Sequence, residues 1–470
     1  MTPDFNDIQA LVRAGFGSLD GARYLLLRVA DNAAAKAWLA QAEPTRSSDV
    51  GGGNTLDRVL QIAFTSAGLR ALGFAEDELE SLAPEFLDGM ASDERRSHRL
   101  GDVGESGPEN WQWGTQEREP HVLLILLAKV SQIEAWTDDI SQTLLASGFS
   151  LVADFASTLT RDEKGVAREP FGFADGLSQP KVDWESKDIA SPGADRNYRR
   201  TIAAGEVVLG YSNEYRAIAG DQTGPLTQQN GSYLVYRQLE QDVSGFWQWA
   251  VQAAGRENAI GLAERMVGRG IDGEPLPGLE AADASADFLF DADPHGQVCP
   301  FGAHIRRANP RIGDNPIPQR GFLRDFLSFL GLSGKASGDA VASARFHRIL
   351  RRGRPYGEIA SPEEAMGDGG GHGAAGLHFM CLNASLARQF EFVQGAWLES
   401  PTFGGLSQES DPLVGSRCPF PDDRRTDLFR YYDKEGTPRI AGDIPRFVKV
   451  LGGAYFFLPG IAGLRSIAAR

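Results

Sequence analysis

The chain has 470 residues, of which 42% are hydrophobic and 23% charged, the proportions of an ordinary soluble globular protein with substantial cores. Its 47 basic and 63 acidic residues leave a net charge of −16, which argues against a broad nucleic-acid footprint and against docking on an anionic membrane. Its 3 cysteines, Cys299, Cys381 and Cys418, form no CxxC pair and cannot build a disulfide framework, as suits a reducing cytoplasm.

The opening segment, "MTPDFNDIQALVRAGFG", has neither a basic start nor an apolar core, so a cytoplasmic location is expected. From there a strand-then-helix pattern recurs. "ARYLLLRV" leads into "ADNAAAKAWLAQA", and "HVLLILLA" into "KVSQIEAWTDDISQTLL". Later "SYLVYRQL" leads into "EQDVSGFWQWAVQAA", and "LHFMCLNA" into "SLARQFEFVQGAWL". Each pair joins an apolar run of strand length to apolar residues at helical spacing, with Trp38, Trp136, Trp249 and Trp397 on the helices as core residues. "RVLQIAFT" and "FSLVADFAS" add strands to the first half, and "SAGLRALGF" a helix, giving βαββαβ with an inserted helix. The second half repeats the two βα units at wider spacing. The expected fold is therefore α+β, two ferredoxin-like domains with antiparallel sheets and peripheral helices. The boundary is placed in the polar, Pro- and Gly-containing stretch 186–206, giving domains 1–195 and 196–470.

Three segments carry candidate chemistry. "REPFGFADGLSQP" sets one acid, Asp175, among Gly, Phe and Ala; on this segment alone an Asp-Gly turn is the first explanation, and an aimed carboxylate needs support from the rest of the chain. "CPFGAHIRRANPR" delivers one imidazole, His304, followed closely by Arg306, Arg307 and Arg311. A buried structural histidine beside a basic face and an axial iron ligand beside propionate-binding arginines both fit. "FHRILRRGRPYG" crowds Arg348, Arg351, Arg352 and Arg354 into one Gly- and Pro-bounded segment of an acidic chain, either a solvated face or an anion site.

Taken together and in order, "GFADG", "AHIRRANPR", "RRGRPYG", "RQFEFVQGAW" and "GGAYFFLPG" resemble the dye-decolourising (DyP-type) haem peroxidases. The resemblance extends from "ARYLLLRV" to the C-terminus. It implies a duplicated ferredoxin-like fold and one haem b per chain. The implied function is a peroxidase that uses hydrogen peroxide to oxidise dyes, phenols or other aromatic reductants in one-electron steps through a ferryl intermediate. Matched residue by residue, it implies that Asp175 is the distal acid and Arg351 the distal arginine, with Arg352 the alternative register. It further implies that His304 is the iron ligand, that Glu391 orients it, that Leu377 and Phe379 line the distal side, and that Arg306 binds a propionate. Surface Trp or Tyr oxidation is a family habit, with no single residue singled out. The alternative implied by the same motifs is a haem-binding or iron-release protein with little turnover. The insertion 311–343 resembles the extended bacterial and fungal branch of the family.

Overall fold

A computed structural model of the chain describes residues 3–51, 55–186, 201–220, 224, 226–279, 288–290, 292–311, 344–367, 373–417 and 425–470. The first half runs β1 (Gly21–Val29), α1 (Asn32–Gln41), β2 (Arg58–Phe64), α2 (Ser66–Ala71), β3 (Val122–Ala128), α3 (Val130–Ala146) and β4 (Phe149–Thr158). Helix starts follow local chemistry: Asp31 accepts from Ala34 N at the head of α1, and Thr65 from Gly68 N at the head of α2. The second half runs β5 (Ser232–Gln241), α4 (Val243–Ala254), α5 (Ala259–Val267), α6 (His304–Ala308), β6 (Leu350–Arg351), β7 (Arg354–Tyr356), β8 (Gly376–Asn383) and β9 (Val448–Leu458).

The strands lie in the order β4-β1-β3-β2 and then β9-β5-β8-β6, with β7 also pairing β8, in one 9-stranded sheet. Each half thus has its last strand beside its first; β3 lies between β1 and β2, and β8 between β5 and the short strands β6 and β7, the ferredoxin-like plan twice over. The two copies fuse where β2 meets β9, through the pair Phe64↔Phe457. The expected partition at residue 195 falls within 187–200, outside the described residues.

The apolar runs are nearly continuous because central strands are buried on both faces. Along β1, Leu25 and Leu27 join a core shared with α1, α2 and α3, while Tyr24 and Leu26 join a second core on the opposite face. Irregular segments rather than long helices cover that second face, contributing Ile8, Leu11, Val207 and Val208. Trp249 and Trp397 are buried as expected, whereas Trp38 and Trp136 are only partly buried against the first core. The helix expected over 385–398 is shorter: one turn at Phe390–Phe392 widens into a π-type turn over Val393–Leu398. The insertion after Arg311 lies outside the described residues, 312–343. Among the described residues no helix is long and apolar enough to cross a membrane.

Gly376 starts β8 where backbones crowd. A Cβ there would sit 1.8 Å from Leu239 O and 2.7 Å from Tyr356 Oη. Gly376→Ala is therefore expected to cost about 1–3 kcal/mol, read as a lowered denaturation midpoint. Gly373→Ala, where an added Cβ meets nothing within 4 Å, is the silent control.

Candidate active site

A cavity of about 300 Å³ lies against the second-half sheet. Side chains at alternate positions of each strand share a face, so Leu377 and Phe379 on β8, Leu239 and Gln241 on β5, and Val448 and Val450 on β9 form its sheet wall. His378, between Leu377 and Phe379, turns to the other face, where burial pushes its imidazole down to about 4 and its Nδ1 lies 2.9 Å from Tyr236 Oη. The wall away from the sheet comes from α6 and the wide turn 393–398, with Val393, Gln394, Leu398, Leu413 and Val414 beside His304.

The structure brings His304, Asp175, Arg351, Leu377 and Phe379 to this one cavity. Asp175 is presented by a tight loop whose strands bridge Arg168 to Ala174, and whose Asp175 N donates to Ala167 O at 2.9 Å. The Asp-Gly turn is real: Gly176 has φ +77°, a left-handed conformation that glycine adopts freely. Arg351 donates through Nη2 to Leu177 O at 2.8 Å, so it reaches the same loop from β6. Its neighbour Arg352, just past the end of β6, points the other way. It donates to Leu11 O and Val12 O at 2.6 and 3.0 Å, and does not line the cavity.

Two sequence expectations require correction. Glu391 does not orient His304. Its carboxylate is 99% buried elsewhere, accepting from Tyr455 Oη at 2.8 Å and pairing with Arg96 and Arg99 at 3.3 and 3.0 Å. The acid beside His304 is Asp411, whose Oδ2 lies 2.9 Å from His304 Nδ1. Asp411 Oδ1 accepts from Leu413 N and Val414 N at 2.9 and 3.0 Å, an Asx-type turn that aims the second oxygen at the ring. Burial opposes the Asp411 charge, but His304 and these amides outweigh it and hold the carboxyl below the ordinary aspartate range.

Arg306, expected to face a propionate, is fully buried outside the cavity lining. It donates to Asp293 Oδ2 at 3.0 Å and Cys299 O at 2.6 Å, with its guanidinium over Phe290 and Phe301. Arg307 is likewise spent on the carbonyls of Trp397, Ser400 and Glu409. Arg237, Arg269, Arg311, Arg348, Arg351 and Arg446 are the arginines that do line the cavity. Asp411 gave no sequence signal, standing in "ESDPLVG" as an ordinary Asp-Pro turn far from His304 in sequence.

Other carboxyls of the lining are held by burial rather than by pairing alone. Burial pushes Asp102 up to about 6 although Arg237 pairs with it, and pushes Glu169 up to about 7. The donor set suits haem. Asp411 accepts a hydrogen bond from the Nδ1–H of His304, leaving Nε2 as the ring nitrogen available to an iron ion. Apolar side chains line the sheet wall, and the cations supply partners for propionates.

No protein-family model matches the chain. Among curated proteins it is 28% identical over 435 residues to the multifunctional dye peroxidase DyP2 of Amycolatopsis sp., covering 88% of this chain and 84% of that one. Among solved structures it matches the fungal DyP-type peroxidase of Auricularia auricula-judae with a TM-score of 0.74 and 23% identity, over 100% of both chains. A dye-decolorizing peroxidase in complex with 2,6-dimethoxyphenol matches with a TM-score of 0.72 and 22% identity, over 99% of this chain and 100% of that one. The duplicated fold expected from the strand pattern is therefore the fold of these enzymes.

With its carboxyl held below the ordinary aspartate range, Asp411 keeps its charge, and the pair with it, through neutral and mildly acidic pH, and the contribution is lost only in more acidic solution. Asp411→Asn is expected to mix the two His304 tautomers, whereas Glu391→Gln should leave them unchanged. Histidine ¹⁵N shifts of the haem-free protein between about pH 5 and 8 distinguish the two variants.

Proposed function

We propose that this chain, which carries the dye-decolourising peroxidase fold and resembles those enzymes over nearly its whole length, is a haem peroxidase. It uses hydrogen peroxide to oxidise dyes, phenols and other aromatic reductants in one-electron steps. One observation carries the reading: a histidine tied to a buried carboxylate shares a cavity with an aspartate and an arginine that meet on one loop. The 2,6-dimethoxyphenol bound by a solved relative supports a phenolic reductant. His304 would hold a haem, Arg311 and Arg348 would be available as partners for its propionates, and the haem would supply the electron-transfer chemistry.

The residues of the chain do the rest. Asp175 takes the proton from one peroxide oxygen and delivers it to the other, which leaves as water. Arg351, fixed by Leu177 O, stabilises negative charge as the O–O bond breaks. Leu377 and Phe379 keep bulk water from that step. Asp411 draws on the Nδ1 proton of His304 and makes the ring a stronger donor.

Purified protein loaded with haem should show a Soret band and peroxide-dependent dye oxidation. His304→Ala should lose most of its haem. Haem retention without any peroxide reaction would instead favour a haem-handling role.

Arg351→Leu should keep haem and slow reaction with peroxide by roughly 10²–10³, while Arg352→Leu should change that rate little. Asp175→Asn, which preserves the turn, should slow it by roughly 10²–10⁴. Stopped-flow spectra at matched haem content give all three rates.

A further inference from the structure

Asp175 shares its loop with a second carboxyl group. Glu169 lines the same cavity, and its side chain is threaded back into the loop's own backbone. Its Oε1 accepts from Phe173 N at 3.0 Å, and its Oε2 from Phe171 N at 3.1 Å and from Gln241 Nε2 on β5 at 2.8 Å. We propose that Glu169 is a positioning residue for the peroxide reaction: it fastens the loop that aims Asp175 and sets the charge beside it. The proposal rests on the peroxidase reading above.

The fastening is geometric. Phe171 and Phe173 are buried against Phe246 and Trp247 of α4, and Trp247 Nε1 donates to Phe171 O at 3.1 Å. On the Asp175 side, Ala174 N donates to Ile271 O at 2.8 Å. Between these anchors the Glu169 carboxyl satisfies the two amides that precede Asp175. Loss of either bond leaves a buried N–H without its acceptor.

The charge is adjustable. Burial, reinforced by the charge of Asp175, pushes Glu169 up to about 7. Gln241 suits both protonation states. Its Nε2 donates to the carboxylate, while its buried Oε1 has no hydrogen-bond partner. A half-turn of the amide would present that oxygen to the protonated acid. The other charged or titratable groups of the cavity lining include Arg351 on β6, Arg237 on β5, Arg269 after α5, His304 on α6, and Asp102, Arg311, Arg348 and Arg446 from flanking segments. Arg168, next in the chain, turns outward to Asp162 and Asp272.

The sign follows. Below neutrality Glu169 is neutral and adds nothing to the charge beside Asp175. As pH rises through about 7 it becomes an anion, which disfavours the negative charge developing on peroxide oxygen. Peroxide reaction should therefore weaken over that range.

The test compares haem-loaded wild type and Glu169→Gln by stopped flow from about pH 5 to 9. The variant should react roughly tenfold to a hundredfold more slowly at acidic pH, because one loop amide loses its acceptor and Asp175 shifts. It should also lack the fall near pH 7. Infrared titration of ¹³C-glutamate-labelled protein, with and without haem, should show a carboxylic acid band lost around that pH in wild type and absent in the variant. A step that survives in Glu169→Gln, or no titrating band in wild type, overturns the proposal. Absence of peroxide reaction in haem-loaded wild type overturns the peroxidase reading and the proposal with it. If Asp175→Asn slows a reaction whose pH step Glu169→Gln leaves intact, the proposal alone fails.

Discussion

A fully buried carboxylate held against one imidazole is the constraint around which the site is arranged. Burying the charge of Asp411 is costly, and the cost is met locally by two backbone amides and the Nδ1–H of His304. The imidazole then has a defined tautomer and orientation before any ligand arrives. His304 begins a helix of only 5 residues, too short to hold its own direction. The two arginines that follow supply the rigidity. Arg306 ties the helix to Asp293 and Cys299, and Arg307 ties it to the segment that runs from Trp397 to Glu409. A run that looks like a basic surface in the sequence is, in the fold, the mounting of one side chain.

That inversion marks the limit of what was legible in the sequence. Strand and helix positions were readable because their patterns are local: a two-face-buried strand announces itself as a continuous apolar run, and an amphipathic helix as a period. The duplication was readable for the same reason. The direction of each arginine was not. Arg351 and Arg352 are adjacent and chemically identical, and only the opposite directions of side chains at the end of β6 and just beyond it send one to the cavity and the other to the carbonyls of Leu11 and Val12. Glu391 was misassigned because a motif records identity along the chain but not rotation about it. The wide turn that follows presents Val393, Gln394 and Leu398 to the cavity and leaves Glu391 with Tyr455 and two arginines. Asp411 meets His304 through a contact of 107 residues' separation, for which no local pattern exists.

The opening motif shows how one loop serves several ends. Its glycine at φ +77° makes the turn, and its phenylalanines anchor it in the core beneath α4. Its acids face the cavity in different hydrogen-bonding surroundings. The half-exposed Asp175 is placed where a proton can come and go. Glu169 is bound into the backbone, where its charge costs more. Two carboxyl groups a few residues apart are thereby given separate environments, which is the usual way one site divides acid–base work.

The fusion of the two half-sheets has a further consequence for how the protein is made. β9 is the last strand in the chain, yet it lies at the centre of the sheet, between β2 and β5. During synthesis every other strand leaves the ribosome first, so each half waits with an open, apolar edge facing the gap. The gap closes only when the C-terminal segment arrives, through contacts that span nearly the whole chain. Such an intermediate is aggregation-prone and in need of shielding. β9 also brings Val448 and Val450 to the cavity, so the pocket has no complete wall until β9 has been made and has paired. Any group that the cavity takes up must therefore bind late, and half-molecules have no complete pocket of their own to fill.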